Sequence, residues 1–122
     1  MSELSKSTED YLEAILILEL NKEPIKSCTI ADHLKVSKPA VHKAMDELIS
    51  FGFIQKELYG KISFTPKGRK IAKDVYDRHT TLNEFLQKIG VSETTSEHDC
   101  CLIEHVISKE TFEKIKEFNK KN

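Results

Sequence analysis

Apolar residues recur every three or four positions along most of this chain, which is the period of a helix with one buried face. Polar residues fill the positions between them, and capping residues, Pro or Gly separate one apolar stretch from the next. The pattern predicts helices over residues 7–20, 29–34, 37–51, 66–89, 95–107 and 109–118. Hydroxyl side chains at the starts of these stretches predict N-caps at Ser7, Thr29, Ser37, Thr65 and Ser108.

Two short segments between the third and fourth helices change to a pattern typical of strands. Residues 53–57 and 61–65 alternate in part between apolar and polar side chains, and a short connection containing Gly60 joins them, which predicts a β-hairpin. Helix, turn, capped helix and hairpin in this order are typical of a winged helix-turn-helix. The predicted fold class is mainly α with a small β-hairpin. We expect a winged helix-turn-helix domain in residues 1–73 and a helical domain in residues 74–122.

The long helix from about residue 66 bridges these two domains. At about 1.5 Å per residue it spans ~36 Å, longer than a domain of this size needs for its own core. Its apolar stripe includes Val75, Leu82 and Leu86, and His79 interrupts it. An apolar stripe that extends beyond the core predicts a surface for a second copy of the chain.

The net charge of −1 conceals a strong segregation of basic and acidic residues along the chain. Residues 1–23 carry two lysines against six acidic residues, residues 24–73 carry ten basic against four acidic residues, and residues 74–122 carry seven against ten. A basic middle segment is typical of a module that faces phosphates. The longest apolar run, Ala14–Leu18, is far shorter than the about 20 residues of a membrane span, so no membrane partner is predicted. Three cysteines, two of them adjacent, do not form a disulfide framework, which favours a reduced cytoplasmic location.

The basic segment contains the candidate DNA-binding residues. In a winged helix-turn-helix the N-terminal residues of the second helix of the motif meet base edges in the major groove. Lysines beside the wing would reach the phosphate backbone. Each residue alone also fits an ordinary cap or a solvated face, but the arrangement as a whole favours DNA binding. The candidate residues are Ser37, Lys38, Pro39, Ala40, His42, Lys43, Lys56 and Lys61.

A second group of residues offers metal ligands. Cys101, Glu104 and His105 are spaced i, i+3 and i+4, so a helix would project all three from one face, with His98 one turn earlier. Sulfur, oxygen and nitrogen donors together outline a site for a first-row transition metal. Singly, these residues fit capping, packing or ion-pair roles, and the joint pattern favours a metal site. The remaining ligand-type residues in the pattern are Asp10, Glu13 and His79.

Motifs along nearly the whole chain resemble those of the diphtheria toxin repressor/manganese transport regulator family of metal-dependent repressors. The motifs are Ser7-Thr-Glu-Asp-Tyr-Leu-Glu-Ala-Ile15, Ile30-Ala-Asp-His-Leu34, Val36-Ser-Lys-Pro39, Thr65-Pro-Lys-Gly68, Arg78-His79 and Cys101-Leu-Ile-Glu-His105. The resemblance implies a homodimer that binds a double-stranded DNA operator, with a helical dimerisation domain and no SH3-like third domain in this chain. It implies metal ligands at Asp10, His79, Cys101, Glu104 and His105, with Glu13 and His98 as secondary candidates.

The same resemblance bears on the choice of metal. Asp10 and Glu13 match manganese-responsive members, whereas Cys101 matches iron-responsive ones, and Asn83 stands where the second site of the iron branch has Glu. Fe(II) or Mn(II) is therefore the expected signal in the cell, and the resemblance implies repression of the genes for its uptake. Co(II), Ni(II) and Zn(II) are expected to bind in vitro, because affinity in general rises from Mn(II) towards the later metals.

Two other functions fit parts of the sequence. A thiol-based redox or soft-metal sensor could use the adjacent Cys100 and Cys101 on the same winged-helix scaffold. A small metallohydrolase could hold zinc at His79, Glu104 and His105. The chain has no Gly-rich loop and no evident pair of nucleophile and base, so we expect a regulator and not an enzyme.

Overall fold

The computed structural model describes residues 4–57 and 60–122, which form six helices and one hairpin. These elements fold into two compact units, Leu4–Lys73 and one that contains Asp74–Asn122. The elements in chain order are α1 (Lys6–Leu20), α2 (Ser27–Leu34), α3 (Lys38–Ser50), β1 (Ile54–Lys56), β2 (Ile62–Phe64), α4 (Pro66–Lys88), α5 (Glu93–Ile103) and α6 (Lys109–Lys121). The mainly α fold with a small hairpin, predicted from the sequence, is confirmed.

The core of the Leu4–Lys73 unit lies among its first three helices and the hairpin. The apolar period of the sequence turns one face of each helix inwards, and each fully buried aliphatic side chain contributes about 1.5–3 kcal/mol. Several of these side chains are 2% exposed or less: Leu12, Ile15, Ile30, Val41 and Leu48. This packing holds α2 and α3 as a helix-turn-helix pair. Lys35, in the left-handed region at φ 58°, forms the turn that follows α2.

The hairpin is antiparallel, with Ile54 opposite Phe64 and Lys56 opposite Ile62. Its apolar residues Ile54, Ile62 and Phe64 are buried, while Gln55 is exposed, as the predicted alternation requires. Lys56 lies on the face of Ile54 but is exposed. Part of the predicted connection, residues 58 and 59, lies outside the described residues. The hairpin thus presents a polar edge beside the helix-turn-helix, which is the position of a wing.

The start of α4 is fixed to the hairpin by Thr65 and Gly68. The Thr65 hydroxyl donates to the carbonyl of Gly52 at 2.6 Å, and the Gly68 N–H donates back to Thr65 Oγ1 at 3.1 Å. A Cβ on Gly68 would collide with the backbone of Phe53. Only glycine lets α4 begin this close to the first residue of the hairpin.

The unit that contains Asp74–Asn122 has its own small core. Leu82, Cys100, Ile107 and Phe112 are buried together. Polar contacts fix the helices around them. The Ser96 hydroxyl of α5 donates to the Asn83 carbonyl of α4 at 3.1 Å, Lys116 Nζ of α6 lies 2.7 Å from Asp77 Oδ2 of α4, and Asn119 Nδ2 donates to the Thr81 carbonyl at 3.0 Å. None of the helices described is long and apolar enough to cross a membrane.

Several helices begin at other residues than the sequence predicts. Ser5, not Ser7, caps α1 and accepts from the Thr8 N–H at 3.1 Å. Helix α2 begins at Ser27, two residues before the predicted cap Thr29, whose hydroxyl instead accepts from the Lys26 N–H at 3.0 Å. The caps at Ser37 and Ser108 are confirmed, since each accepts from a backbone N–H three residues on.

The end of α5 also differs from the prediction. The helix runs from Glu93 to Ile103, with Ser92 as its N-cap, and not from residue 95 to residue 107. After Ile103 the N–H groups of His105 and Val106 donate to carbonyls three residues back, so a tighter turn replaces the α-helical ladder. No Gly or Pro marks this end in the sequence.

Candidate metal centre and DNA-binding surface

His79 of α4 lies between two carboxylates. Its Nε2 is 2.9 Å from Glu97 Oε1 of α5, and its Nδ1 is 3.2 Å from Glu104 Oε2 just after α5. The imidazole side chain is 13% exposed. His79 interrupts the apolar stripe of α4 because its position faces α5, where these acidic side chains lie.

Glu104 is the most unusual charged residue of this unit. It is fully buried, and neither of its carboxylate oxygens accepts a hydrogen bond of good geometry from any described residue. His105 Nε2 lies 3.4 Å from Glu104 Oε1, so imidazole nitrogens lie near both oxygens. Burying a polar group without a hydrogen bond costs about 1–3 kcal/mol of folding stability even when the group is neutral. For an ionised carboxylate the cost is several kcal/mol unless a cation compensates the charge. The donor set of one carboxylate and two imidazoles fits a divalent ion.

The two cysteines of α5 lie against the same imidazole. Cys101 Sγ is 3.8 Å from His79 Nδ1, and Cys100 Sγ is 3.7 Å from that atom. Cys101 is partly exposed, whereas Cys100 is fully buried. Burial raises the pKa of the Cys100 thiol far above its ordinary value, and the nearby Cys101 and Glu97 raise it further. Cys100 therefore stays protonated unless a metal displaces its proton.

The sequence predicts Cys101, Glu104 and His105 on one face of a single helix, but that helix ends before the last two residues. Helix α5 ends at Ile103, so Glu104 is its C-cap and His105 belongs to the following turn. Glu104 still has helical backbone angles, φ −58° and ψ −24°. Its carboxylate and the Cys101 thiol each lie near His79 Nδ1.

His98 does not join this group in the described residues. Its side chain is 74% exposed, and its Nδ1 lies 3.1 Å from Asp99 Oδ1. Glu97, the residue before it, lies next to His79 instead. The sequence spacing could have indicated this position, because Glu97 and Cys101 are i and i+4 and so share one face of α5.

The remaining candidate ligands lie in α1 of the Leu4–Lys73 unit. Asp10 is partly exposed and accepts from Lys6 Nζ at 2.7 Å. Glu13, one turn later, is 8% exposed. The i, i+3 spacing predicted from the sequence puts both carboxylates on one side of α1.

The candidate DNA-binding residues form the exposed side of α3 and the flank of the hairpin. Val41, Met45 and Leu48 face the core, which leaves the opposite side of α3 to solvent. Ser37 serves as N-cap through its side chain and remains exposed. All the candidates are exposed: Ser37, Lys38, Pro39, Ala40, His42, Lys43, Lys56 and Lys61. Four of these residues are lysines, so this part of the surface can approach phosphates, although α3 also exposes Asp46 and Glu47 further along the helix.

Both halves of the sequence match models of one protein family. Residues 3–62 match the N-terminal DNA-binding domain of iron-dependent repressors, and residues 65–122 match their metal-binding and dimerisation domain. The chain belongs to the iron-dependent repressor family. The resemblance found in the sequence motifs is thereby confirmed, and the two domain types imply DNA and a second copy of the chain as partners.

Individual relatives agree with this family. The repressor is 37% identical over 120 residues to a helix-turn-helix-type transcriptional regulator of Methanocaldococcus jannaschii, with 97% of this chain and 96% of that protein covered. It is 36% identical over 109 residues to the regulator MntR of Lysinibacillus sphaericus, with 89% of this chain and 78% of that protein covered.

The fold is that of solved members. The structure of the manganese regulator SloR superposes with a TM-score of 0.82 at 26% identity, over 93% of this chain and 53% of that one. The repressor thus spans about half the length of that solved chain. Fold and family together show a winged-helix DNA-binding domain joined to a dimerisation domain.

These matches show a metal-dependent transcriptional repressor, and not an enzyme. They do not favour the metallohydrolase or the thiol-sensor alternative. Geometry also opposes a disulfide switch at Cys100 and Cys101: adjacent Cα atoms are about 3.8 Å apart, below the about 4.4–6.8 Å of most disulfides.

Proposed function

We propose that the chain is a cytoplasmic repressor of iron or manganese uptake genes, and that Fe(II) or Mn(II) favours the dimer conformation that binds the operator. The observation that carries this proposal is the buried Glu104 carboxylate, whose two oxygens accept no hydrogen bond of good geometry among the described residues and lie 3.2 and 3.4 Å from two imidazole nitrogens.

The proposed ligands within the helical unit are His79, Cys101, Glu104 and His105. The family resemblance adds Asp10 from α1, with Glu13 as a secondary candidate. A bound divalent ion would supply positive charge to compensate the carboxylates. Oxygen donors suit Mn(II), and a thiolate favours Fe(II), Co(II) or Zn(II), so the donor set supports more than one ion.

The chain's own residues explain why binding should be coupled to protonation. Glu104 must be ionised, the imidazoles of His79 and His105 must each offer an unprotonated nitrogen, and Cys101 must lose its proton. Metal affinity should therefore fall at acid pH.

Operator recognition in this proposal belongs to α3 and the hairpin. Exposed Lys43 and His42 can reach base edges, while Lys56 and Lys61 contact phosphates. Two copies would read half-sites about 34–36 Å apart, or a multiple of that distance. The metal must bind the operator-competent conformation more tightly than the others, because equal affinity shifts no population.

The decisive experiment selects duplexes from a random pool with the protein and Mn(II) under anaerobic conditions, then measures affinity by fluorescence anisotropy at fixed salt. We expect the selected duplex to bind at least about tenfold more tightly, or 1.4 kcal/mol, with Mn(II), Fe(II) or Co(II) than with EDTA. Equal affinity with and without every ion would overturn the proposal. Selection with and without metal also shows whether the enriched sequence has two half-sites.

A further inference from the structure

Cys100 has no role in the ligand set proposed above, yet it lies beside that set. Its side chain is fully buried next to Leu82, Ile107 and Phe112. A small apolar residue could fill such a position. The Cys100 sulfur, however, lies 3.7 Å from Nδ1 and 3.9 Å from Nε2 of the imidazole of His79. The thiol therefore faces His79, whose ring also lies beside Glu97, Glu104 and Cys101.

Four ligand atoms converge at this place. One atom each from His79, Glu97, Cys100 and Cys101 lies within 4.8 Å of all the others. In a tetrahedral zinc site, sulfur at about 2.3 Å and nitrogen or oxygen at about 2.0 Å from the metal are separated from each other by roughly 3.3–3.8 Å. The sulfurs of Cys100 and Cys101 lie 3.7 and 3.8 Å from His79 Nδ1, a little beyond the about 3.5 Å of a sulfur–nitrogen pair on zinc. Glu97 contacts the other ring nitrogen, Nε2, at 2.9 Å. Small side-chain movements would complete the site.

We propose that His79, Glu97, Cys100 and Cys101 form a two-thiolate site for a soft or borderline divalent ion of the Zn(II) and Cd(II) class. Thiolates select such ions over Mn(II), which prefers oxygen donors. The ligands come from α4 and α5, which both contribute to the unit that contains Asp74–Asn122.

The site has a route to solvent. Glu97 is exposed at 53% of its side chain, and it lines an open cleft on α5 together with Cys101, His98 and Leu102. An ion can therefore reach Glu97 and Cys101 first and then engage buried Cys100.

This ligand set overlaps with the one proposed for the regulatory ion and is not the same. It shares His79 and Cys101 but replaces Asp10, Glu104 and His105 by Glu97 and Cys100. The inference goes beyond the proposed function, since it holds whether or not an ion controls operator binding.

The test is anaerobic titration of the reduced full chain with Cd(II). It follows the ultraviolet thiolate-to-cadmium charge-transfer band, and a ¹¹³Cd NMR spectrum reports the number of bound sulfurs. Wild type should show two thiolates per ion. Cys100→Ser and Cys100→Ala should each lose about half of the band, one of two thiolates. Cys28→Ser is the matched control, because Cys28 is the exposed thiol of α2, and it should change nothing.

Glu97→Gln provides a readout that does not disturb the core, because this residue is exposed. We expect Cd(II) affinity to fall at least about tenfold, while Glu93→Gln, one turn earlier on the exposed side of α5, leaves it unchanged.

A one-thiolate spectrum for wild type, or an unchanged band in both Cys100 variants, would overturn the inference. Mn(II)-dependent operator binding is measured on the same wild-type preparation. Its loss beside an intact two-thiolate spectrum contradicts only the proposed function, and the reverse result contradicts only the two-thiolate site.

Discussion

His79 Nδ1 lies 3.2 Å from Glu104 Oε2, and this imidazole and carboxylate meet where the carboxylate has no hydrogen-bond donor of good geometry among the described residues. Burial without donors raises the free energy of the folded metal-free protein. A bound cation removes that cost. In the proposed function, binding of the ion at this pair would therefore stabilise the fold as well as favour DNA binding.

Glu104→Gln should separate these two effects. At pH 8 and without metal the variant should be at least as stable as wild type, because a neutral amide costs less to bury than an unpaired carboxylate. With Mn(II) at about 100 times its Kd, wild type should gain about 2.7 kcal/mol and the variant much less. Urea unfolding with EDTA and with Mn(II) measures both. Glu113→Gln, an exposed acid of α6, is the control and should behave as wild type; an equal metal gain in Glu104→Gln would remove Glu104 from the ligand set.

Gly68→Ala should destabilise the Leu4–Lys73 unit. Helix propensity alone would favour alanine by about 1 kcal/mol at this helical position. The new methyl group would instead strike the Phe53 backbone, which cannot move without disturbing the hairpin. We expect a net loss of about 2–4 kcal/mol, as for other overpacked or strained sites. Urea unfolding measures it, with Gly52→Ala as the comparison: Gly52 has open space around it and only the cost of φ +78°, about 1–2 kcal/mol.

The ion pair of Glu19 and Arg69 should give the same unit an acid-sensitive contribution. Arg69 Nη2 donates to Glu19 Oε2 at 3.0 Å, and this hydrogen bonding lowers the pKa of Glu19. The unfolded value is about 4.3, so the stabilisation is fully present above that pH and is lost as the pH falls through the lower folded-state pKa. Both side chains are about one third exposed, 33% and 39%, so solvent screening should limit the effect to about 1 kcal/mol or less.

Glu19→Gln measures that contribution. The variant should lose stability at pH 7 and converge with wild type near pH 3 in urea unfolding. Glu47→Gln, an exposed acid on α3, is the control. A difference between Glu19→Gln and wild type that persists unchanged at pH 3 would show that the effect is packing and not charge.

Lys61→Ala and Lys43→Ala should weaken DNA binding in different ways. Lys61 is beside the wing, so its loss should reduce affinity similarly for all duplexes and lower the salt slope by about 0.9. Lys43 is on the exposed side of α3, so its loss should cost about 1–3 kcal/mol and relax the preference at one base pair. Anisotropy titrations over a salt series, with the selected duplex and single-base variants, distinguish these results. Lys114→Ala on α6 is the control; equal effects from all three variants would mean that only overall charge matters.

The sequence predicted most of the fold because its signals are local. Ser37 with Pro39 marked the start of α3, and Thr65 marked the start of α4, since caps act within one helical turn. Ser7 was wrong as a cap because Ser5 offers the same chemistry two residues earlier. The end of α5 was missed for a different reason: no Gly or Pro marks it in the sequence, and the tighter turn after Ile103 precedes Ile107, which is buried in the core.

The candidate site was less predictable, because burial is not a local property. Nothing around Glu104 in the sequence distinguishes a fully buried carboxylate from an exposed one. Glu97 was overlooked in favour of the adjacent His98, whose ring points to Asp99. One residue along a helix is a rotation of about 100°, which is enough to exchange a position beside His79 for a solvated one.

The burial of Glu104 also bears on the lifetime of the protein against proteolysis. Proteases act mainly on transiently opened molecules, and a change of about 1–2 kcal/mol in stability alters the abundance of a protein several-fold. The metal-free repressor, in which only two imidazoles lie beside the buried Glu104 carboxylate, should open more often than the loaded one. Metal starvation would then lower the amount of repressor as well as its occupancy, and recovery would depend on new synthesis.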